Sequence, residues 1–329
     1  MADSVVPAKA PDRNPAYIIA AVLLAALSVC GIVLSRRAAV EFEAIADTEN
    51  FRFAVIGDFG TPDTAAAEVA ALVRSWGPDL VITTGDNNYP DGAASTIDTN
   101  IGQYYHSFIS PYKGQYGAGA DTNRFFPSLG NHDWETPGAA PYLDYFSLPG
   151  NERYYDFVRG PVHFFALDSD PREPDGITAD SVQGRRFRQR IAASRSPWRL
   201  VYFHHPAYSS GDHGSHADMQ WPFEEWGASL VIAGHDHDYE RLLVDGLPYF
   251  VNGAGGRSLY DFHTPVVGSR VRYNADHGAM LVEANDTTIT YRFINRQGTT
   301  IDTYAQCLPA SDSMPIRPCL APVWGGRGR

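Results

Sequence analysis

Five apolar runs in this chain end in residues of the kind that bind metals. Asp58 closes FRFAVIGD, Asp86 closes DLVITTGD, and Asn131 follows RFFPSLG. His204 ends WRLVYFH, and His235 and His237 follow ASLVIAG; Tyr89 stands three residues after Asp86. The donors are carboxylate, phenol, carboxamide and imidazole, with no thiolate. Such a mixed oxygen and nitrogen set suits iron, zinc, manganese and similar ions. Each piece alone is weak, since a Gly-Asp after a strand is usually a turn and an asparagine is often a cap. As an ordered series they share one explanation. Strand ends lie together along one edge of a sheet, so residues far apart in sequence converge there. Glycines beside the donors, in GDFG, GDNNY, GNHD and GHDH, let the chain turn sharply and approach an ion closely.

The elements that must position these residues are legible from Phe51 onward. FRFAVI and DLVITT read as buried strands, and DTAAAEVAALVRSW reads as a helix opened by Asp63-Thr64 and closed by Gly77-Pro78. RFFPSL, RYYDFV, PVHFFALD, WRLVYF and ASLVIA read as further strands, and residues 180–194 as a basic surface helix. Residues 242–301 are mostly β, with hairpin signals at Asp245-Gly246 and Asn285-Asp286. Strands alternate with helices in the first half and dominate the second. The expected fold class is therefore mixed α/β, one domain with two sheets stacked face to face and helices outside. No linker supports a division in two, and no repeat of 20–50 residues is visible.

Composition narrows the function. The chain has 329 residues, 44% of them apolar and 19% charged, as in an ordinary globular protein. Its net charge of −12 makes a nucleic-acid partner a poor expectation, because phosphate backbones are tracked by basic surfaces. Small anionic substrates stay open, since bound metal reverses the local field. Three cysteines are too few for a disulfide-dense scaffold or an all-cysteine zinc site.

The series GDFG, GDNNY, GNHD, VYFH, GHDH resembles the five-block signature of the calcineurin-like metallophosphoesterases. Tyr89, three residues after Asp86, makes it similar to the purple acid phosphatases among them, and to the small, tartrate-resistant type, over roughly residues 50–300. The resemblance implies an αββα sandwich. It implies that Asp58, Asp86, Tyr89 and His237 hold a ferric ion, and that Asp86, Asn131, His204 and His235 hold a divalent ion (Fe, Zn or Mn), with Asp86 bridging. Metals about 3.5–4 Å apart clamp a phosphoryl group. Ferric plus divalent charge of about +5, less about three from two carboxylates and a phenolate, leaves roughly +2 to attract phosphate. The implied activity is hydrolysis of small phosphomonoesters, best at acidic pH, by in-line attack of a metal-bound hydroxide. A Mn- or Zn-dependent phosphodiesterase and an inactive membrane-anchored binding protein are the rival readings.

The resemblance further implies that His132 and His213 contact phosphate or assist the leaving group, the work of a proton-donating imidazole. His216 lies in the same loop as His213. His205 neighbours a ligand and is expected to point away along its strand. Asp133 reads as a buttress, His163 as core packing, and Arg241 as a substrate contact or a salt bridge. NGAGG at Asn252–Gly256 reads as a close backbone approach to the site, and Asn285-Asp286-Thr287 as a turn.

Residues outside the catalytic stretch divide into four segments. Residues 1–15 are polar. Residues 16–34 carry no charge, and at 1.5 Å per residue about 19 residues span roughly 29 Å, enough to cross a bilayer. They read as an uncleaved single-pass anchor, with a cleaved signal as the alternative; flanking Lys and Arg give no orientation. Residues 35–50 form a linker to the catalytic domain, 51–304, and 305–329 form a Pro/Gly-rich tail expected to be loosely ordered. Cys307 and Cys319 either form a disulfide or stay as thiols; a disulfide places the domain in an oxidising, extracytoplasmic compartment.

Overall fold

The apolar runs form strands whose alternation divides side chains between two faces. Phe164 points inward to Phe53 and Phe157, with ring centroids 5.0 and 4.8 Å away. Its neighbour Phe165 points outward to Phe187 at 5.3 Å. A strand apolar on both faces must be covered on both, which is why PVHFFA reads as one continuous run.

The computed structural model describes residues 50–308 and 317–319. One seven-stranded sheet runs β14-β13-β12-β11-β1-β2-β3. It comprises β1 (Phe51–Ile56), β2 (Leu80–Thr83), β3 (Phe125–Pro127), β11 (Gly278–Ala284), β12 (Thr288–Asn295), β13 (Thr300–Cys307) and β14 (Arg317–Pro318). The other runs β10-β8-β9-β7-β6-β5-β4. It comprises β4 (Tyr155–Arg159), β5 (Val162–Ala166), β6 (Trp198–Tyr202), β7 (Leu230–Ala233), β8 (Tyr239–Val244), β9 (Leu247–Asn252) and β10 (Ser269–Tyr273). Phe53 on Phe164, Phe126 on Phe157 and Tyr239 on Phe293 join the inner faces into one core.

Helix α1 (Thr64–Ser75) begins where the Asp63 side chain accepts from the Ala66 amide at 2.9 Å, satisfying a free N-terminal donor. It buries Ala66, Val69, Ala70 and Val73 and lies against β11. A short helix, α2 (Ala140–Tyr145), precedes β4, and α3 (Val182–Ala192) covers the outer face of the second sheet with Phe187 and Ile191. The expected class, two stacked sheets with helices outside, is what forms. Both hairpins form as well. Asp245 and Gly246 carry the positive φ values that a tight β8–β9 turn needs, and the Asn285 side chain accepts from the Thr287 and Thr288 amides.

Of the tail, residues 305–308 and 317–319 are described. β13 continues to Cys307, Gln306 and Cys307 pair with β14, and Cys307 is bonded to Cys319. The proposed membrane segment, 16–34, lies outside the described residues. Among those residues no helix is long and apolar enough to cross a membrane.

His163 does more than pack. Its Nε2–H donates to Asp156 Oδ2 at 2.9 Å, and its Nδ1 accepts from Ser194 Oγ at 2.8 Å. Arg190 of α3 reaches the same carboxylate at 2.7 Å, tying helix to sheet. Burial alone would push the Asp156 carboxyl up, but the His163 and Arg190 hydrogen bonds hold it down at about 2. A depressed folded value means stability present above the ordinary carboxyl range and lost as pH falls through the folded one. Asp156→Asn is expected to lower the urea midpoint near neutrality, with the deficit closing between about pH 4 and pH 2; a deficit constant across that window refutes the account. Phe164→Ala, which empties the space between the sheets, is expected to cost about 3–5 kcal/mol in the same assay.

Candidate metal centre

Each proposed donor follows a strand end, where the backbone has left its ladder. Asp58 and Asp86 follow β1 and β2, Tyr89 lies on the loop after Asp86, and Asn131 follows β3; these three strands run parallel. His204 follows β6, and His235 and His237 follow β7, again a parallel pair. The same edge of both sheets therefore faces one place.

The donors meet there. The Tyr89 hydroxyl lies 2.9 Å from Asp86 Oδ2, 3.2 Å from Asp58 Oδ1 and 3.2 Å from His237 Nε2. His204 Nε2 lies 2.9 Å from Asn131 Oδ1, 3.1 Å from His235 Nδ1 and 3.4 Å from Asp86 Oδ2. Asp86 belongs to both groups. All seven side chains expected as donors are thus brought together.

Backbone geometry is adapted to this convergence. Asp58, Asp86 and His235 have φ of +55°, +53° and +71°, a region that L-residues other than glycine seldom enter. Such strain persists where surroundings over-determine it and clusters at functional sites. Here the His235 amide donates to Asp58 Oδ2 at 3.0 Å, and the His132 amide to Asp86 Oδ1 at 2.9 Å. A Cβ at Gly130 would stand 2.2 Å from the Asp86 amide nitrogen and Oδ1, so only glycine admits this approach.

Carbonyls set the imidazoles. The Thr84 carbonyl accepts from His204 Nδ1 and the Ser258 carbonyl from His237 Nδ1, each at 2.8 Å. A carbonyl cannot donate, so the proton belongs on Nδ1 and the Nε2 lone pair faces inward. Lone pairs of His204, Asn131 and the carboxylates then point at one another, as donors do around a cation. The electrostatics agree. Burial would push the His204 imidazole down, but Asp86 and Asp58 overcome it and raise it to about 10. Burial raises the Tyr89 hydroxyl far above its usual range, with Asp86 and Asp58 adding to the shift. The cluster favours positive charge strongly, and phenolate would need a cation beside it. The donor set fits a pair of metal ions.

Around the donors, Asp133 is the buttress expected of it. Its carboxylate accepts from the Gly130 amide at 2.9 Å and from Asn87 Nδ2 at 2.8 Å, clamping two donor-bearing loops together. His132 sits at the rim, with its ring 4.4 Å from that of Tyr89 and its Nε2 3.9 Å from Asp86 Oδ2. His213 stacks on His235 at 4.2 Å, and His216 lies 5.3 Å from the same ring. Arg241 forms a salt bridge with Asp302, the second of the two readings its position offered.

His205 corrects the expectation of a side chain turned away. β6 ends at Tyr202, so pleat alternation no longer governs residue 205. Its ring lies 4.4 Å from His235, its Nδ1 meets Ser169 Oγ at 2.9 Å, and it falls in one cluster with His204 and His235. Burial, reinforced by His204, pushes its imidazole well down. Tyr260 and Arg257 also went unread: Tyr260 stacks on His237 at 4.0 Å, and Arg257 lies over the Tyr89 ring. Both follow NGAGG, whose Gly253 approaches Asp58 Oδ2, so the close approach read from that segment is correct.

Comparison with known proteins agrees with this geometry. The chain is 27% identical over 241 residues to Purple acid phosphatase 7 of Arabidopsis thaliana, covering 64% of this chain and 71% of that protein. It is 23% identical over 299 residues to human Tartrate-resistant acid phosphatase type 5, covering 77% and 90%. The purple acid phosphatase PPD1 from yellow lupin seeds shares the fold, with a TM-score of 0.64 at 18% identity over 79% of this chain, which spans 54% of the lupin protein. Residues 51–239, from the first strand through the last donor, match the calcineurin-like phosphoesterase family of hydrolases, and the chain is a member of it.

Proposed function

We propose that this protein is a binuclear metal-dependent acid phosphatase of the purple type, hydrolysing small phosphomonoesters. The observation that carries the reading is the Tyr89 hydroxyl set among Asp58, Asp86 and His237. A tyrosinate favours a ferric ion, which separates this site from Mn- or Zn-dependent phosphodiesterases. Asp58, Asp86, Tyr89 and His237 would hold that ion, and Asp86, Asn131, His204 and His235 would hold a divalent Fe, Zn or Mn. A bound metal pair supplies Lewis acidity and lowers the pKa of water, keeping a nucleophile available in acid.

The chain's own groups do the rest. Asp133 and the Thr84 and Ser258 carbonyls fix the donors before substrate arrives, so little reorganisation remains for the reaction. His132 Nδ1 is bonded to the Pro90 carbonyl, which leaves Nε2 turned to the centre. His132 and His213 flank the reacting phosphoryl group and deliver a proton to the departing alkoxide. We place the catalytic domain outside the cytoplasm, on an anchor at 16–34; the Cys307–Cys319 bond supports an oxidising compartment. An intact donor set argues against an inactive binding protein.

Protein loaded with iron under mild oxidant is expected to show a visible charge-transfer band that Tyr89→Phe abolishes. A colourless protein with iron bound would remove Tyr89 from the ligands and favour the phosphodiesterase, as would faster turnover of bis-aryl than mono-aryl phosphate. Asp86→Ala and His235→Ala are each expected to abolish phosphomonoester turnover without unfolding the domain; near-wild-type rates in either would sink the assignment.

A further inference from the structure

In this acidic chain seven of the eighteen arginines among residues 50–308 pair with carboxylates. Arg172 is paired with Asp170 and Glu135, Arg153 with Glu173 and Asp175, and Arg296 with Glu68 and Asp276. Arg257 is not. Among the described residues its exposed guanidinium has no carboxylate or hydrogen-bond acceptor, and Cζ lies 5.1 Å from the Tyr89 ring centroid. A cation left over the Tyr89 ring, which itself meets Asp58 and Asp86, is not placed there by stability alone, since an exposed cation–π contact contributes little.

Its mounting is rigid. The Arg257 amide donates to the Asp58 carbonyl at 2.9 Å, and its own carbonyl accepts from His277 Nε2 at 3.1 Å. The Tyr260 amide then donates to the His237 carbonyl at 3.0 Å, and its ring lies flat on the imidazole, 13° from parallel. One short segment thus braces two donors and starts the Arg257 side chain beside them. A guanidinium over a ring with no carboxylate on it keeps N–H groups free, in the fork that matches two phosphate oxygens.

We infer that Arg257 grips phosphate: its guanidinium binds the phosphoryl oxygens of the substrate, and of released inorganic phosphate, on the Tyr89 side of the centre. This rests on the phosphatase reading above. A grip made equally to substrate and to the transition state changes affinity and leaves the chemical step alone.

The test uses the metal-loaded protein and its Arg257→Gln and Arg257→Lys variants. Arg257→Gln is expected to raise KM for an aryl phosphomonoester and the calorimetric Kd for inorganic phosphate together, by about tenfold, with kcat within about twofold. Arg257→Lys, which keeps charge but loses the fork, is expected to recover part of both. Unchanged KM and phosphate Kd overturn the inference, and a shifted visible band alongside them would mean that Arg257 only tunes Tyr89. Wild-type protein that neither hydrolyses phosphomonoesters nor binds phosphate overturns the function itself, a failure seen before any variant is made.

Discussion

Two buried carboxylates share one small space. Ligand atoms of Asp58, Asp86 and His204 all lie within 4.8 Å of one another. At that separation two unit charges repel by about 3.5 kcal/mol at an effective dielectric of about 20. Fully buried Asp58 and Asp86 are tolerable together only if positive charge is supplied between them. Asp86 and Asp58 raise the His204 imidazole for that reason, and metal ions supply the charge when bound. Asp238 answers the same field differently. Both its oxygens lack a partner, and burial, Asp236 and Glu240 together raise its carboxyl to about 9, so it stays neutral where a further anion would be intolerable.

The rest of the architecture keeps that arrangement from relaxing. Left alone, Asp58 and Asp86 would swing apart and take up water. Positive φ at three donors shows that the loops cannot follow their own preference. Asp133 ties the loop of Asn87 to that of Gly130, and Arg172 donates to the Asn131 carbonyl at 2.9 Å. Glycine at 130 keeps Asp86 from being pushed out.

The donors were legible in the sequence because function forces them into a local grammar: an apolar run, a glycine, a ligand. The strands were legible for the same reason that they are buried, and the Asp245-Gly246 turn because only certain residues accept its φ values. What escaped notice has no such grammar. Pleat alternation predicts a His205 turned away, a rule that fails once the strand ends, and β6 ends before it. Arg257 and Tyr260 reach the centre through a glycine-rich turn whose direction is decided by contacts with β1 and β7, so nothing local marks them. The Asp156–His163–Arg190 network joins β4, β5 and α3, and no single segment carries its signal. The pairing of Cys307 with Cys319 is likewise a contact that spacing alone left open.

The two sheets divide the coordination chemistry between them. Asp58, Asp86, Tyr89 and Asn131 follow strands of the first sheet and offer oxygen; His204, His235 and His237 follow strands of the second and offer nitrogen. Neither sheet alone carries both kinds of donor. The distance between oxygen and nitrogen donors is therefore set by how the sheets stack, and that is set by the large rings between them, Phe53 on Phe164 and Phe126 on Phe157. Polar contacts cross the same gap at its edge: His204 to the Thr84 carbonyl, the His235 amide to Asp58, and Asn252 Nδ2 to the Val55 carbonyl at 3.0 Å. Because interiors are close-packed and transmit small displacements, a lost ring far from the centre moves one half of the donor set against the other. Core and site are in this sense one structure, and the packing that stabilises the fold is also what fixes the spacing of the metal ligands.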